Sequence, residues 1–114
     1  MRTGPISGGL TVSAPGWSHG PVLAAVAMRH RRTGLRPLAL GWGLLIAGRS
    51  VHGRGMAEPL AVVGLDAAGA VVGSSRLVPG GRVEVAGAVA VLELPARVTV
   101  PQPGTVLTWA AVGG

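Results

Sequence analysis

Leu60-Ala61-Val62-Val63-Gly64-Leu65 runs directly into Asp66-Ala67-Ala68-Gly69, and Ala70-Val71-Val72 follows at once. A short apolar run closed by turn residues fits a buried strand. Asp66 suits the first position of a type I turn, where its carboxylate bonds the backbone ahead, and Gly69 suits the fourth. Residues 60–65 and 70–78 therefore make a β-hairpin candidate. Reading outward from it, the same grammar repeats. Pro79-Gly80-Gly81 is a second turn, Val83-Glu84-Val85 alternates with period two, and Ala88 to Leu94 is the longest strand candidate, stopped by Pro95. Pro101-Gln102-Pro103-Gly104 is a third turn, leading into Thr105-Val106-Leu107-Thr108-Trp109.

Upstream, Leu44-Leu45-Ile46-Ala47 is another buried run, closed by Gly48. Val22 to Met28 opens as strand and is expected to continue as a helix over roughly 24–33. Arg29, Arg31 and Arg32 would complement the negative end of its dipole, Gly34 would cap it, and Pro37 forbids continuation. Residues 1–21, rich in glycine and proline, read as a flexible lead, with Leu10-Thr11-Val12 a short strand candidate. The expectation is one β-rich α+β domain over 22–109 with a tail at 110–114. Its architecture is expected to be a small barrel- or sandwich-like antiparallel sheet with one helix near the N-terminus. No internal repeat is present.

Composition narrows the chemistry. The 114 residues include 20 glycines and 9 prolines but no cysteine, tyrosine or phenylalanine. Disulfides, thiolate metal sites and cysteine nucleophiles are excluded. Three tryptophans are too few for a base-stacking platform. The net charge of +6, from 10 basic residues that are all arginine against 4 acids, attracts anionic partners only in a non-specific sense. Arginine without lysine, beside so much alanine, glycine and valine, fits a GC-rich genome. The most apolar window, Pro37 to Gly48, is too short for the ~20 residues of a spanning helix. Thr3 to Ser13 lacks the apolar core of a signal peptide, which makes a cytoplasmic location the default expectation.

Ser50-Val51-His52, Gly55-Met56, Pro59-Leu60, Val62-Val63 and Leu65-Asp66-Ala67-Ala68-Gly69 form an ordered series. With Val78-Pro79 and Ala90-Val91-Leu92-Glu93-Leu94-Pro95-Ala96, the series resembles domain-of-unknown-function family 192, in its Val-His-Thr-x-x-Met branch. Arg32-Thr33-Gly34-Leu35, Gly43-Leu44-Leu45 and Pro103-Gly104-Thr105-Val106-Leu107 extend the likeness, which covers about residues 22–108. The resemblance implies a compact β-rich domain with one helix near the front, and it implies no reaction. Departures are visible: Gly53 replaces the usual threonine, Ala61 the usual aspartate, and Arg54 and Gly64 positions that are often aromatic. After Leu94-Pro95-Ala96, the stretch Arg97-Val98-Thr99-Val100-Pro101 is poor in helix formers where the family usually continues into a short helix.

Two clusters are candidates for binding. His52, with Arg49 and Arg54 nearby in sequence and Asp66 as the nearest placed acid, is a candidate ligand-contacting set. A histidine near neutrality suits proton transfer or ligand contact, but a shuttle needs an orienting carboxylate or a nucleophile. The favoured reading has His52 bonded to backbone, fixing the Ser50–Met56 loop, and Asp66 occupied by its turn. Arg29, Arg31, Arg32 and Arg36 form the second, anion-contacting candidate, with a solvated helix face as the favoured reading. Nucleic acid is not expected, because no recognition motif or aromatic interleaving accompanies the charges. The acids Glu58, Glu84 and Glu93 are scattered, so no paired-carboxylate site is suggested. No metal or cofactor is expected: His19, His30 and His52 lie in unrelated settings, and no phosphate-loop or nucleophile-elbow motif is present. The expected function is a non-enzymatic binding or accessory module of undefined partner. The alternatives are a small enzyme or ligand-binding protein with a cleft at His52, and anionic-partner binding by the arginine-rich helix.

Overall fold

The computed structural model of the chain describes residues 9–25 and 41–111. Nine strands account for its regular structure: β1 (Leu10–Ala14), β2 (Trp17–Ala25), β3 (Gly43–Ala47), β4 (Ser50–His52), β5 (Leu60–Leu65), β6 (Val71–Leu77), β7 (Arg82–Glu84), β8 (Ala90–Pro95) and β9 (Thr108–Ala111). Seven of them form one sheet in the order β6-β5-β8-β3-β2-β1-β9, and β4 with β7 makes a two-stranded ribbon.

The hairpin expected from residues 60–65 and 70–78 is at the heart of this arrangement. Gly69 N–H donates to the Asp66 carbonyl at 3.0 Å, closing the turn, and β5 pairs antiparallel with β6 from Leu60↔Leu77 to Leu65↔Val71. The other side of β5 pairs with β8, from Leu60↔Pro95 to Leu65↔Ala90. With neighbours on both sides, β5 and β8 are interior strands, and their side chains alternate between two covered faces. Val63, Leu65, Leu92 and Leu94 enter the larger core with Val12, Val22, Val71 and Leu107. Val62 and Val91 face the other way and pack under the ribbon, against Val51, Leu77, Val83, Val85 and Ala88. Burial on both faces is why these strands read as nearly continuous apolar runs rather than alternating ones. Each fully buried valine or leucine contributes ~1.5–3 kcal/mol by area.

The ribbon lies close to the sheet because Gly64 leaves room for it. A Cβ at position 64 would sit 2.4 Å from Val85 Cγ1 and 3.1 Å from the Ala88 Cβ. Backbone bonds fasten the ribbon as well: Val85 N–H to the Arg49 carbonyl, Gly48 N–H to Val89, and Val89 N–H to Leu65, each at 2.8 Å.

Three expectations are corrected. The sheet is mixed rather than antiparallel, since β2 runs parallel to β3, with Val22↔Gly43 through Ala25↔Ile46 in register. The chain is β-rich with no helix among the described residues. Ala24 and Ala25, placed at the start of a helix over 24–33, continue β2, and the rest of that helix lies outside the described residues. A short apolar run such as Val22-Leu23-Ala24-Ala25 is compatible with either state, and pairing with β3 decides it. Lastly, the sheet is not a closed barrel. The segment before β9 reaches the start of β6, with Val71 N–H donating to Thr105 at 2.8 Å and Leu107 N–H to Gly69 at 3.0 Å. The strands β6 and β9 themselves do not pair, so the sheet keeps two edges.

Residues 10–21, within the expected flexible lead, contain β1 and the first part of β2, paired from Leu10↔Val22 to Ala14↔Trp17. Burial explains the order: Val12 and Val22 are fully enclosed, and Trp17 Nε1 donates to the Thr99 carbonyl at 2.6 Å. Among the described residues, no helix is long and apolar enough to cross a membrane.

Candidate functional site

The ribbon fixes the surroundings of His52. In the β4–β7 pair Ser50 faces Glu84, Val51 faces Val83 and His52 faces Arg82. Residues opposite each other across a pair share a face. Val51 and Val83 are buried, so His52, Arg82, Ser50 and Glu84 lie on the outer face. His52 itself is half-buried. Its Nδ1 accepts a long bond from the Arg54 backbone N–H, at 3.4 Å, which leaves the proton of a neutral ring on Nε2. Around it the loop is closed by backbone bonds: Gly53 N–H to Gly81 at 2.8 Å, Gly80 N–H to Gly53 at 3.0 Å and Met56 N–H to Gly53 at 3.1 Å.

Gly53 sits against the turn after β6. A Cβ there would meet the Val78 carbonyl oxygen at 2.4 Å. Glycine at this position has a local steric reason, since no rotamer change moves a backbone oxygen out of the way.

The other candidates are committed to separate tasks. Arg49 Nε contacts Glu84 Oε2 at 2.9 Å, an ion pair with both side chains more than half exposed. Asp66 Oδ1 accepts from the N–H groups of Ala68 and Ala70, each at 2.9 Å, so its carboxylate organises the β5–β6 turn. That turn is at the start of β6, whereas the His52 loop bonds to the residues just after its end. Seven residues of strand, about 20 Å, separate the two ends. The structure therefore does not bring His52 and Asp66 together, while it does set Arg82 beside His52. Arg54 is exposed in the loop. Arg29, Arg31, Arg32 and Arg36 lie outside the described residues. His19, taken as part of a loose lead, is on β2, where its ring shares a hydrogen bond of 2.9 Å with the Gly41 carbonyl. Among the described residues no three histidine, aspartate or glutamate side chains converge as a metal site would require.

Two features were not foreseen from sequence. Glu93 on β8 is fully buried, directly between Leu44 of β3 and Val62 of β5. An acid inside the run Ala90-Val91-Leu92-Glu93-Leu94 was a signal for it, because a buried carboxylate is retained only where the surroundings satisfy it. The second is an open groove of about 210 Å³, lined by Leu60, Ala61, Ala96, Val98 and Val100, with Ser74, Ser75 and Arg76 of β6 supplying its polar groups. Nothing in the sequence marks it, since residues 60, 76 and 98 meet only through the pairing of β5 with β6 and the fold of the chain after β8.

No family model matches the chain, and no curated protein matches it. Solved structures do. A protein of unknown function from Novosphingobium aromaticivorans DSM 12444 superposes with a TM-score of 0.70 at 22% identity, over 89% of this chain and 84% of its own. A proposed transcription regulator from Sinorhizobium meliloti 1021 gives a TM-score of 0.66 at 24% identity, over 93% of this chain and 98% of its own. At such identities the likeness is one of fold. The chain is thus a small β-rich protein whose architecture recurs in these two structures.

Proposed function

We propose that the chain is a non-enzymatic binding or accessory module that contacts its partner through the half of the sheet carrying the ribbon and β6. The observation that supports this is the use made of the polar groups. Asp66 is held by its turn, Arg49 faces Glu84, and Arg82 stands opposite His52 on the outer face of the ribbon. A histidine beside Arg82 is suited to contact an anionic or hydrogen-bonding group. The apolar groove with its serines and Arg76 adds a second contact area on β6. Membership in the family resembled by the Ser50–Asp66 series belongs to the same proposal.

A broad screen of hydrolase, transferase and oxidoreductase substrates tests it. No turnover is expected from the purified chain. Turnover that disappears in His52→Ala, in a variant that keeps its thermal midpoint, would overturn the reading in favour of a small enzyme.

A further inference from the structure

We propose that the outer edge of β9 pairs with the same edge of a second copy of this chain, antiparallel about a two-fold axis.

Three observations carry the proposal. The first is the distribution of charge. Every arginine, aspartate and glutamate among the described residues lies between Arg49 and Arg97, while β1, β2 and β9 contain none. Among the described residues, the β2-β1-β9 side of the sheet therefore sets no arginine, aspartate or glutamate of one copy against another.

The second is the contrast between the two edges. At β6, Gly104 N–H bonds to the Val71 carbonyl and Val71 N–H to Thr105. Further along that edge stands the exposed Arg76, beside the segment containing Ala96, Val98 and Val100. Charge and covering segments are ordinary ways of protecting a sheet edge from a further strand. At β9 the sequence Thr108-Trp109-Ala110-Ala111 carries neither charge nor proline, and its outer side has no paired strand among the described residues.

The third concerns the occupant. Val12 and Trp109 are opposite each other across β1 and β9, so Trp109 continues the face of the larger core, and it is only partly covered there. An antiparallel edge is its own complement under a two-fold axis, as a closed homodimer interface must be. Such a pairing brings the two Trp109 side chains to the same face on either side of the axis. It thereby extends the core across the junction, with aromatic anchors of the kind that dominate interfaces. Four strand residues per copy make a small interface, which places the affinity in the weak, micromolar class.

Sedimentation equilibrium of the full chain from about 1 to about 300 µM covers that class. The mass is expected to rise from 11.3 kDa toward twice that value. Ala110→Lys, an exposed position, sets like charges near the axis and is expected to weaken the dimer at least ~10-fold without changing the thermal midpoint of the monomer. Ser75→Lys on β6 is expected to leave the dimer unchanged. A chain that stays monomeric throughout overturns the proposal, including the case in which its own residues 1–8 or a different protein occupy the edge. So does a dimer indifferent to Ala110→Lys, or one dissociated by Ser75→Lys.

Discussion

One half of the sheet, β2-β1-β9, is made of uncharged residues and contains Trp17 and Trp109. The other half, β5, β6 and β8 with the β4–β7 ribbon over them, holds every charged residue of the strands and no tryptophan. Both halves are closed by the same apolar core, since Val12 and Val22 of the first touch the cluster of Val63, Leu92 and Leu94 of the second. What differs is how each meets its surroundings. The charged half covers its second face with its own ribbon, drawn in over Gly64, and presents His52, Arg82, Arg76 and the groove to solvent. The uncharged half ends at β9, whose outer edge has no paired strand among the described residues. The shared cluster that joins the two halves is apolar, and the charged side chains of the strands other than Glu93 lie outside it.

The largest effect is expected where the halves are joined. Leu92→Ala removes a fully buried side chain from the shared core and is expected to destabilise the whole chain by ~2–5 kcal/mol. Denaturant melts of a Trp42→Leu background, in which fluorescence comes from Trp17 and Trp109 of the uncharged half, should shift together with those followed by far-UV circular dichroism. Separate transitions would mean that the halves are independent units. Next comes Gly64→Ala, which adds a Cβ 2.4 Å from Val85 Cγ1 and is expected to cost ~1–3 kcal/mol through displacement of the ribbon. Hydrogen exchange at Val85 and Val89 should speed up more than at Val12. Equal acceleration everywhere would erase the distinction between a core-locked half and a ribbon-covered one. The smallest effect is expected at the surface: Arg49→Ala breaks an exposed ion pair and should change stability by no more than ~0.5 kcal/mol, less still in high salt. A loss above ~1 kcal/mol, outside the usual range for exposed pairs, would show that charge does hold the ribbon in place.

Much of this second half was legible in the sequence. Asp66-Ala67-Ala68-Gly69 is a local signal, and the turn forms with the aspartate bonds its position implies. Pro79-Gly80 likewise closes a turn, with Gly81 N–H bonded to Val78 at 2.8 Å. The first half was read less well because its glycines and prolines look like those of a loose segment. Gly8-Gly9 and Pro15-Gly16 flank Leu10–Ala14, and Gly20-Pro21 lies inside Trp17–Ala25; these stretches are ordered by pairing with each other and with β9 and β3. The same limit applies to the candidate site. Neighbours in sequence such as His52, Arg54 and Arg49 were visible as a set, whereas Arg82 reaches His52 from thirty positions away through strand register.

The sequence by itself determined where the chain turns, that β5 and β8 are buried strands, and that thiol chemistry is absent, because these follow from residue type and short-range geometry. Tertiary structure alone decided that β2 runs parallel to β3, that the sheet stays open, and that Asp66 and His52 end up apart. Those outcomes depend on which distant strands exchange hydrogen bonds, and backbone groups offer the same donors and acceptors whatever the side chain.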